Sequence, residues 1–229
     1  MKQNFLVGMR RYEIIGGSIW FVIQSFLMEF LLKLIFDLLN IEYNTALLNA
    51  VYFFLNFGIT IIIFRRFLAY SLPVVADHPL RYVKGLLIGF CTYWVLSVCL
   101  SALVELFGIN AWVPNDDTIA EIAGVSYQVM WVGAVLLAPI TEETLARGLI
   151  FGNIRKKNRT LAYIITAIIF ALIHTLPYVM QMDVLTFCYN ILIYGLPSVA
   201  LCVCYEYSGC IWGPIVLHMI VNAMGMSVM

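Results

Sequence analysis

The chain has 229 residues, of which 63% are hydrophobic and only 11% charged, whereas soluble domains average roughly 25% charged and 45–50% apolar. That balance excludes a water-soluble globule and makes the lipid bilayer the first partner. Thirteen basic and thirteen acidic residues cancel to a formal charge of zero, so no nucleic acid or other polyanion is implied.

A bilayer core needs about 20 apolar residues per helix. Applied along the chain, that ruler predicts seven spans at about 13–39, 45–64, 83–107, 127–150, 160–176, 184–204 and 209–228. The expected fold is an all-α polytopic transmembrane helix bundle, a single domain over 1–229 whose functional core is expected at about 127–228. The first stretch is too long for a cleavable signal peptide and is expected to stay in the protein. It ends in Glu29, Lys33 and Asp37, spaced by four along one helical stripe.

Short loops rich in lysine and arginine stay cytoplasmic. Lys2, Arg10 and Arg11 precede span one; Arg65, Arg66, Arg81 and Lys84 separate spans two and three; Arg155, Lys156, Lys157 and Arg159 separate spans four and five. The alternate loops carry Glu42, then Asp116, Asp117 and Glu121, then Asp183, and no basic residue. This places the N-terminus in the cytoplasm and the C-terminus outside, in a multi-pass protein of the cell membrane. The Pro-Asn-Asp run at Pro114 reads as the longest outside connection. His78 belongs to a charged loop and is expected to be solvated, Glu105 to lie at the outer end of span three, and Glu206 to sit in a short inside loop. Asn49 and Asn56, seven apart, are expected to bridge helices, and Gly85 and Gly89 to form a contact face. The six cysteines show no C-x-x-C pair and read as free thiols in apolar surroundings.

An ionisable group inside a membrane is costly and points to function. Span four contains Pro139, Thr141, Glu142, Glu143 and Arg147. Proline frees a carbonyl one turn earlier and favours a kink just before the acids. Glu143 and Arg147 are i,i+4 neighbours, while Glu142 points about 100° away. One glutamate is then held by arginine and the other is left available, as a general base requires. A purely interfacial salt bridge is the competing reading of the same residues. Span five ends in Phe170 and His174, and span seven carries His218 and Asn222, again i,i+4, so that both present donors to one cavity.

Together, E-E-x-x-x-R at Glu142, Glu143 and Arg147, F-x-x-x-H at Phe170 and His174, and H-x-x-x-N at His218 and Asn222 resemble the three signature motifs of the CAAX prenyl-protease and bacteriocin-processing family, also called Abi. The resemblance covers about residues 138–222. It implies an intramembrane endopeptidase in which Glu142 is the general base, His174 its water-positioning partner, and His218 with Asn222 the oxyanion stabilisers, with Glu143 and Arg147 orienting the site. The implied substrate is a peptide or membrane protein, such as a bacteriocin or its precursor, in maturation or self-immunity. Removal of residues after a prenylated cysteine is the alternative reaction, and a non-catalytic immunity protein that captures a toxin peptide is the alternative function. A proton-relaying transporter is disfavoured because no second broken polar helix occupies a matching half.

Glutamate with two histidines is also a zinc ligand set, so Zn2+ held by Glu142, His174 and His218 is the alternative to a metal-free site. No H-E-x-x-H motif is present and Asn222 is a poor zinc ligand, so no cofactor is favoured. By the boundaries above, Glu142 falls inside the midplane and His174 outside it, about 10–15 Å apart along the normal at 1.5 Å per residue. Joint action on one water requires span four to continue to Gly152, or span five to tilt with its Pro177 end folded in.

Overall fold

The structure is a computed structural model that describes residues 7–42, 44–109 and 112–227; the described residues are overwhelmingly helical, with no strand among them. Lys2, counted above among the basic residues, and the end of the expected seventh span at 228 lie outside the described residues. Helices α1, Arg11–Phe26, and α2, Met28–Leu38, are bent by 66° at Leu27 and correspond to the expected first span. Helices α3, Thr45–Asp77, α4, Pro79–Phe107, α5, Pro114–Arg155, α6, Arg159–Gln181, and α7, Val184–Ser208, are each long and apolar enough to cross a membrane. Helix α8, Trp212–Met226, is apolar but has 15 residues, about 22 Å at 1.5 Å per residue, which is short of a hydrocarbon core of roughly 30 Å. The protein is therefore a multi-pass helical bundle. All seven expected segments are helical, but by length and composition five helices cross alone, or six if the bent pair counts as one span.

Local chemistry sets the helix ends. Asn44, Asn158 and Asp183 cap α3, α6 and α7 by accepting the amides of Leu47, Leu161 and Thr186 at 3.1, 3.0 and 2.7 Å. Gly108 and Gly209, with φ of 59° and 77°, end α4 and α7 in the left-handed conformation that glycine adopts without strain.

A straight 42-residue α5 would be about 63 Å long, roughly twice the hydrocarbon thickness. It is broken at Ser126, whose φ of −153° and ψ of 87° are not helical. The second part starts where the fourth span was expected. The first part, 114–125, is a helix rather than the connection that its Pro-Asn-Asp run suggested. Pro114 at a first helical position with Asp116 and Asp117 in the first turn is a helix start, and the same residues also spell a turn.

Helix α7 packs against α4, α5, α6 and α8. Gly85 and Gly89 form the expected contact face: a Cβ on Gly85 would run into the Ser208 backbone, and one on Gly89 into Cys204 and Leu217. Asn49 and Asn56 do not bridge helices. Each donates to a carbonyl one turn back in its own helix, Thr45 at 2.9 Å and Tyr52 at 3.0 Å, as side chains without a reachable polar neighbour do. All six cysteines are free, with Cys202, Cys204 and Cys210 buried and Cys91, Cys99 and Cys188 exposed. His78 and Glu105 are exposed, as expected.

Basic residues gather at one end of the bundle. Glu206 lies within α7 rather than in a loop, 2% exposed, and accepts from Arg155, Arg159 and Tyr163. Arg81 donates to the neighbouring Tyr207 carbonyl at 3.3 Å. The buried Glu13 takes the Phe67 amide at 2.9 Å and the Arg66 guanidinium at 3.3 Å. These pairs fasten α1 to α3, α4 to α7, and α5 and α6 to α7.

Gly85→Val is expected to cost about 1–3 kcal/mol or more through overpacking, whereas Gly124→Ala, with nothing within 4 Å, should be neutral or slightly stabilising. Thermal unfolding in detergent micelles separates the two.

Candidate active site

Glu142 and Glu143 sit in a short α-helical stretch, Ala138–Glu143, between two π-helical stretches, Val132–Leu137 and Thr144–Phe151. Proline has no N–H to donate into the helical ladder, so Pro139 leaves carbonyls of the preceding turn short of a partner. In a π turn the carbonyl concerned is five residues back, at Ala134. Asn222 supplies the missing donor: its amide nitrogen lies 2.8 Å from the Ala134 oxygen. Where a kink was expected, the helix widens around the glutamates and is stitched to α8.

Glu143 is the centre of the polar network. Its Oε1 lies 3.0 Å from Arg147 Nη1 and 2.7 Å from His218 Nδ1, and both charged side chains are fully buried. The other guanidinium nitrogen donates to the Ser198 carbonyl at 3.0 Å and hydroxyl at 2.8 Å. The Phe170 ring lies 4.7 Å from the guanidinium carbon, within cation–π range. Buried charges persist only when paired and hydrogen-bonded; these contacts pair both charges, while Glu143 Oε2 and Arg147 Nε are buried without a hydrogen-bond partner among the described residues.

Glu142 is the opposite case. It makes no hydrogen bond among the described residues, its side chain is 29% exposed, and its Oε2 stands 3.9 Å from His218 Nε2. The two glutamates are thus divided as the helical spacing predicted, with one addition. His218 is held by Glu143 through Nδ1, which turns Nε2 toward Glu142. The donor pair expected from the sequence is split: His218 faces the glutamates, while one amide hydrogen of Asn222 is committed to Ala134.

His174 lies at the same depth as Glu142. Helix α5 runs on to Arg155 and α6 begins at Arg159, so Glu142 is thirteen residues from the turn and His174 fifteen, a difference of about 3 Å at 1.5 Å per residue. The expected depth mismatch came from ending span four at 150, because hydropathy stops at the polar residues through which the helix continues. The Phe170 ring lies 4.5 Å from the His174 ring and 6.1 Å from that of His218, so the two histidines flank it. His174 Nδ1 is 2.8 Å from the Phe170 carbonyl, and its imidazole stacks on Tyr194 at 4.8 Å. No hydrogen bond or ion pair joins His174 to Glu142 among the described residues.

Sequence reasoning missed Ser198 and Tyr194, and placed Glu206 in a loop rather than on α7. Ser198 follows Pro197 within α7, and a polar residue beside a proline in an apolar helix is one signal that marked it. As for zinc, no three His, Cys, Asp or Glu side chains among the described residues are grouped closely enough to hold a metal ion. His174 and His218 each have Nδ1 engaged, by the Phe170 carbonyl and by Glu143, and His218 Nε2 stands 3.9 Å from Glu142 Oε2, wider than two ligand atoms that each lie roughly 2.0–2.2 Å from one tetrahedral zinc ion. The residues as arranged do not fit the alternative zinc set.

The fold and this cluster define a multi-pass membrane protein with a group of ionisable side chains inside its helical bundle. Residues 124–224, from just before the Ser126 break to near the end of α8, match the family model described as Type II CAAX prenyl endopeptidase Rce1-like. The chain is also similar to the UPF0177 protein YvdC of Lactococcus lactis subsp. lactis (strain IL1403), 24% identical over 211 residues, covering 91% of this chain and 76% of that protein. No solved structure matches the chain significantly.

Removing the Glu143 carboxylate strands Arg147 and unties His218. Glu143→Ala is expected to destabilise the protein by about 3–5 kcal/mol, as breaking a buried ion pair does. Glu142→Ala removes no hydrogen bond and should stay within about 1 kcal/mol of wild type. Denaturant or thermal unfolding in micelles measures both.

Proposed function

We propose that the protein is an endopeptidase of the cell membrane that hydrolyses a peptide bond with a water activated by Glu142. The observation that carries this reading is the inequality of the two glutamates: Glu143 is spent on hydrogen bonds with Arg147 and His218, while Glu142 makes no hydrogen bond among the described residues and stands open, 3.9 Å from His218 Nε2. A carboxylate needs that freedom to take a proton from water.

The chemistry follows from the side chains present. Water lies between Glu142 and His174 Nε2; Glu142 removes a proton as the oxygen attacks the substrate carbonyl. The resulting oxyanion is met by His218, which in its doubly protonated form donates through Nδ1 to Glu143 and presents Nε2–H to the cavity. The C–N bond then breaks and the proton held by Glu142 passes to the leaving nitrogen. Arg147, Ser198 and Glu143 keep His218 in register, and Asn222 supports the reaction by holding the widened turn of α5. No step needs a metal ion.

Bacteriocin maturation or self-immunity is the role that the three sequence motifs favour. The family description, which names CAAX prenyl endopeptidase, favours a prenylated peptide as the substrate. Two quenched fluorescent probes, a farnesylated peptide ending in Cys-aliphatic-aliphatic-X and the same peptide without the lipid, decide between lipidated and plain substrates.

With either probe, Glu142→Gln and His174→Ala are expected to lower kcat by about 10²–10⁴-fold, the range for loss of general acid–base assistance, while EDTA leaves wild-type turnover unchanged. Activity that survives both substitutions contradicts the assignment and leaves peptide capture as the function. Loss of activity with chelator and its return with Zn2+ contradicts the metal-free route.

A further inference from the structure

We propose that Tyr194 is a positioning residue for His174, holding the imidazole so that Nε2 is aimed at the water shared with Glu142. The inference rests on the reading of His174 as the water-positioning group.

An imidazole can fail in two ways: by carrying its hydrogen on the wrong nitrogen, or by tilting. The first is settled by the Phe170 carbonyl, 2.8 Å from Nδ1. A carbonyl only accepts, so Nδ1 donates and Nε2 keeps its lone pair. A single hydrogen bond leaves the ring free to tilt about that bond. Tilt is settled by two aromatic rings, Phe170 at 4.5 Å with an interplanar angle of 33° and Tyr194 at 4.8 Å with an angle of 20°. Phe170 shares a helix with His174 and moves with it, so Tyr194 on α7 is the fixed reference.

Tyr194 is itself anchored. Its hydroxyl donates to Asp116 Oδ1 at 3.3 Å. Nearby, Tyr178 donates to Thr118 at 3.1 Å and Asn190 to the Trp112 carbonyl at 2.9 Å. The helix 114–125 is thus fastened to α6 and α7 around the ring that steadies His174. Asp116, Thr118 and Trp112 all precede residue 124, where the family match begins. The support for a residue of the shared motif is therefore built in part from a segment outside that match.

The test reads His174 directly. The chain has three histidines, so protein with 15N-labelled imidazoles in micelles gives three assignable rings, using His174→Gln and His78→Gln for assignment. Wild type is expected to show His174 as the Nδ1–H tautomer, with its ring protons shifted upfield by the two flanking aromatics. Tyr194→Phe keeps both features. Tyr194→Leu, which fills the space without a π face, loses the upfield shift and mixes the tautomers, while unchanged His218 signals report an intact fold. On the farnesylated peptide, Tyr194→Leu should lower kcat by about ten- to a hundredfold at unchanged KM, and Tyr194→Phe should restore it. His174 signals identical in wild type and Tyr194→Leu overturn the proposal, as does wild-type turnover by the Leu variant. If wild type cleaves neither probe, the peptidase reading fails while the imidazole signals still decide what Tyr194 does.

Discussion

The arrangement depends on one carboxylate oxygen. Glu143 Oε1 takes both the Arg147 guanidinium and the His218 imidazole in a site closed to solvent. Without it, Arg147 would keep only Ser198 and the Phe170 face, a buried cation without a counter-ion, and nothing would fix which nitrogen of His218 faces Glu142. Because Glu143 absorbs this demand, its neighbour in sequence is left without a hydrogen bond among the described residues, 3.9 Å from His218 Nε2. The free carboxylate and the buried ion pair are two consequences of a single placement on α5.

Holding that placement required the helix to depart from regular geometry. Pro139 removes a donor just before the acids, the backbone widens on either side of them, and Asn222 repairs the ladder from α8. This ties the position of the glutamates on α5 to the position of His218 four residues earlier on α8. The same covalent feature that disturbs the helix thereby sets the register between two helices that must share a site.

The parts of this site visible in the sequence are those that act within one helix. The i,i+4 spacing of Glu143 and Arg147 predicted their pairing, and Phe170 and His174 meet at the same spacing. What could not be read were contacts between helices. Asn190, Tyr194 and Ser198 follow one another at i,i+4 along α7, a polar stripe that marks a face, but nothing in that spacing names the partners the stripe meets on other helices. Asn222 was legible as a donor, but its acceptor is a backbone carbonyl whose availability depends on a proline in another helix. Hydropathy marked seven segments, of which five helices, or six with the bent pair as one, are long enough to cross among the described residues, because hydropathy measures how apolar a stretch is, and α8 is apolar without being long. Charged loop residues marked the ends of the bundle, yet the helices run through them, as Arg155 and Arg159 on either side of the α5–α6 turn show. That continuation brings Glu142 and His174 to a common depth.

The central claim is that Glu142 and His174 act on one water. An experimental structure of the protein at a resolution that shows ordered water tests it most directly. The account predicts one water within about 3 Å of both the Glu142 carboxylate and His174 Nε2. A separation of these two groups above about 8 Å, with no water common to them, would contradict it.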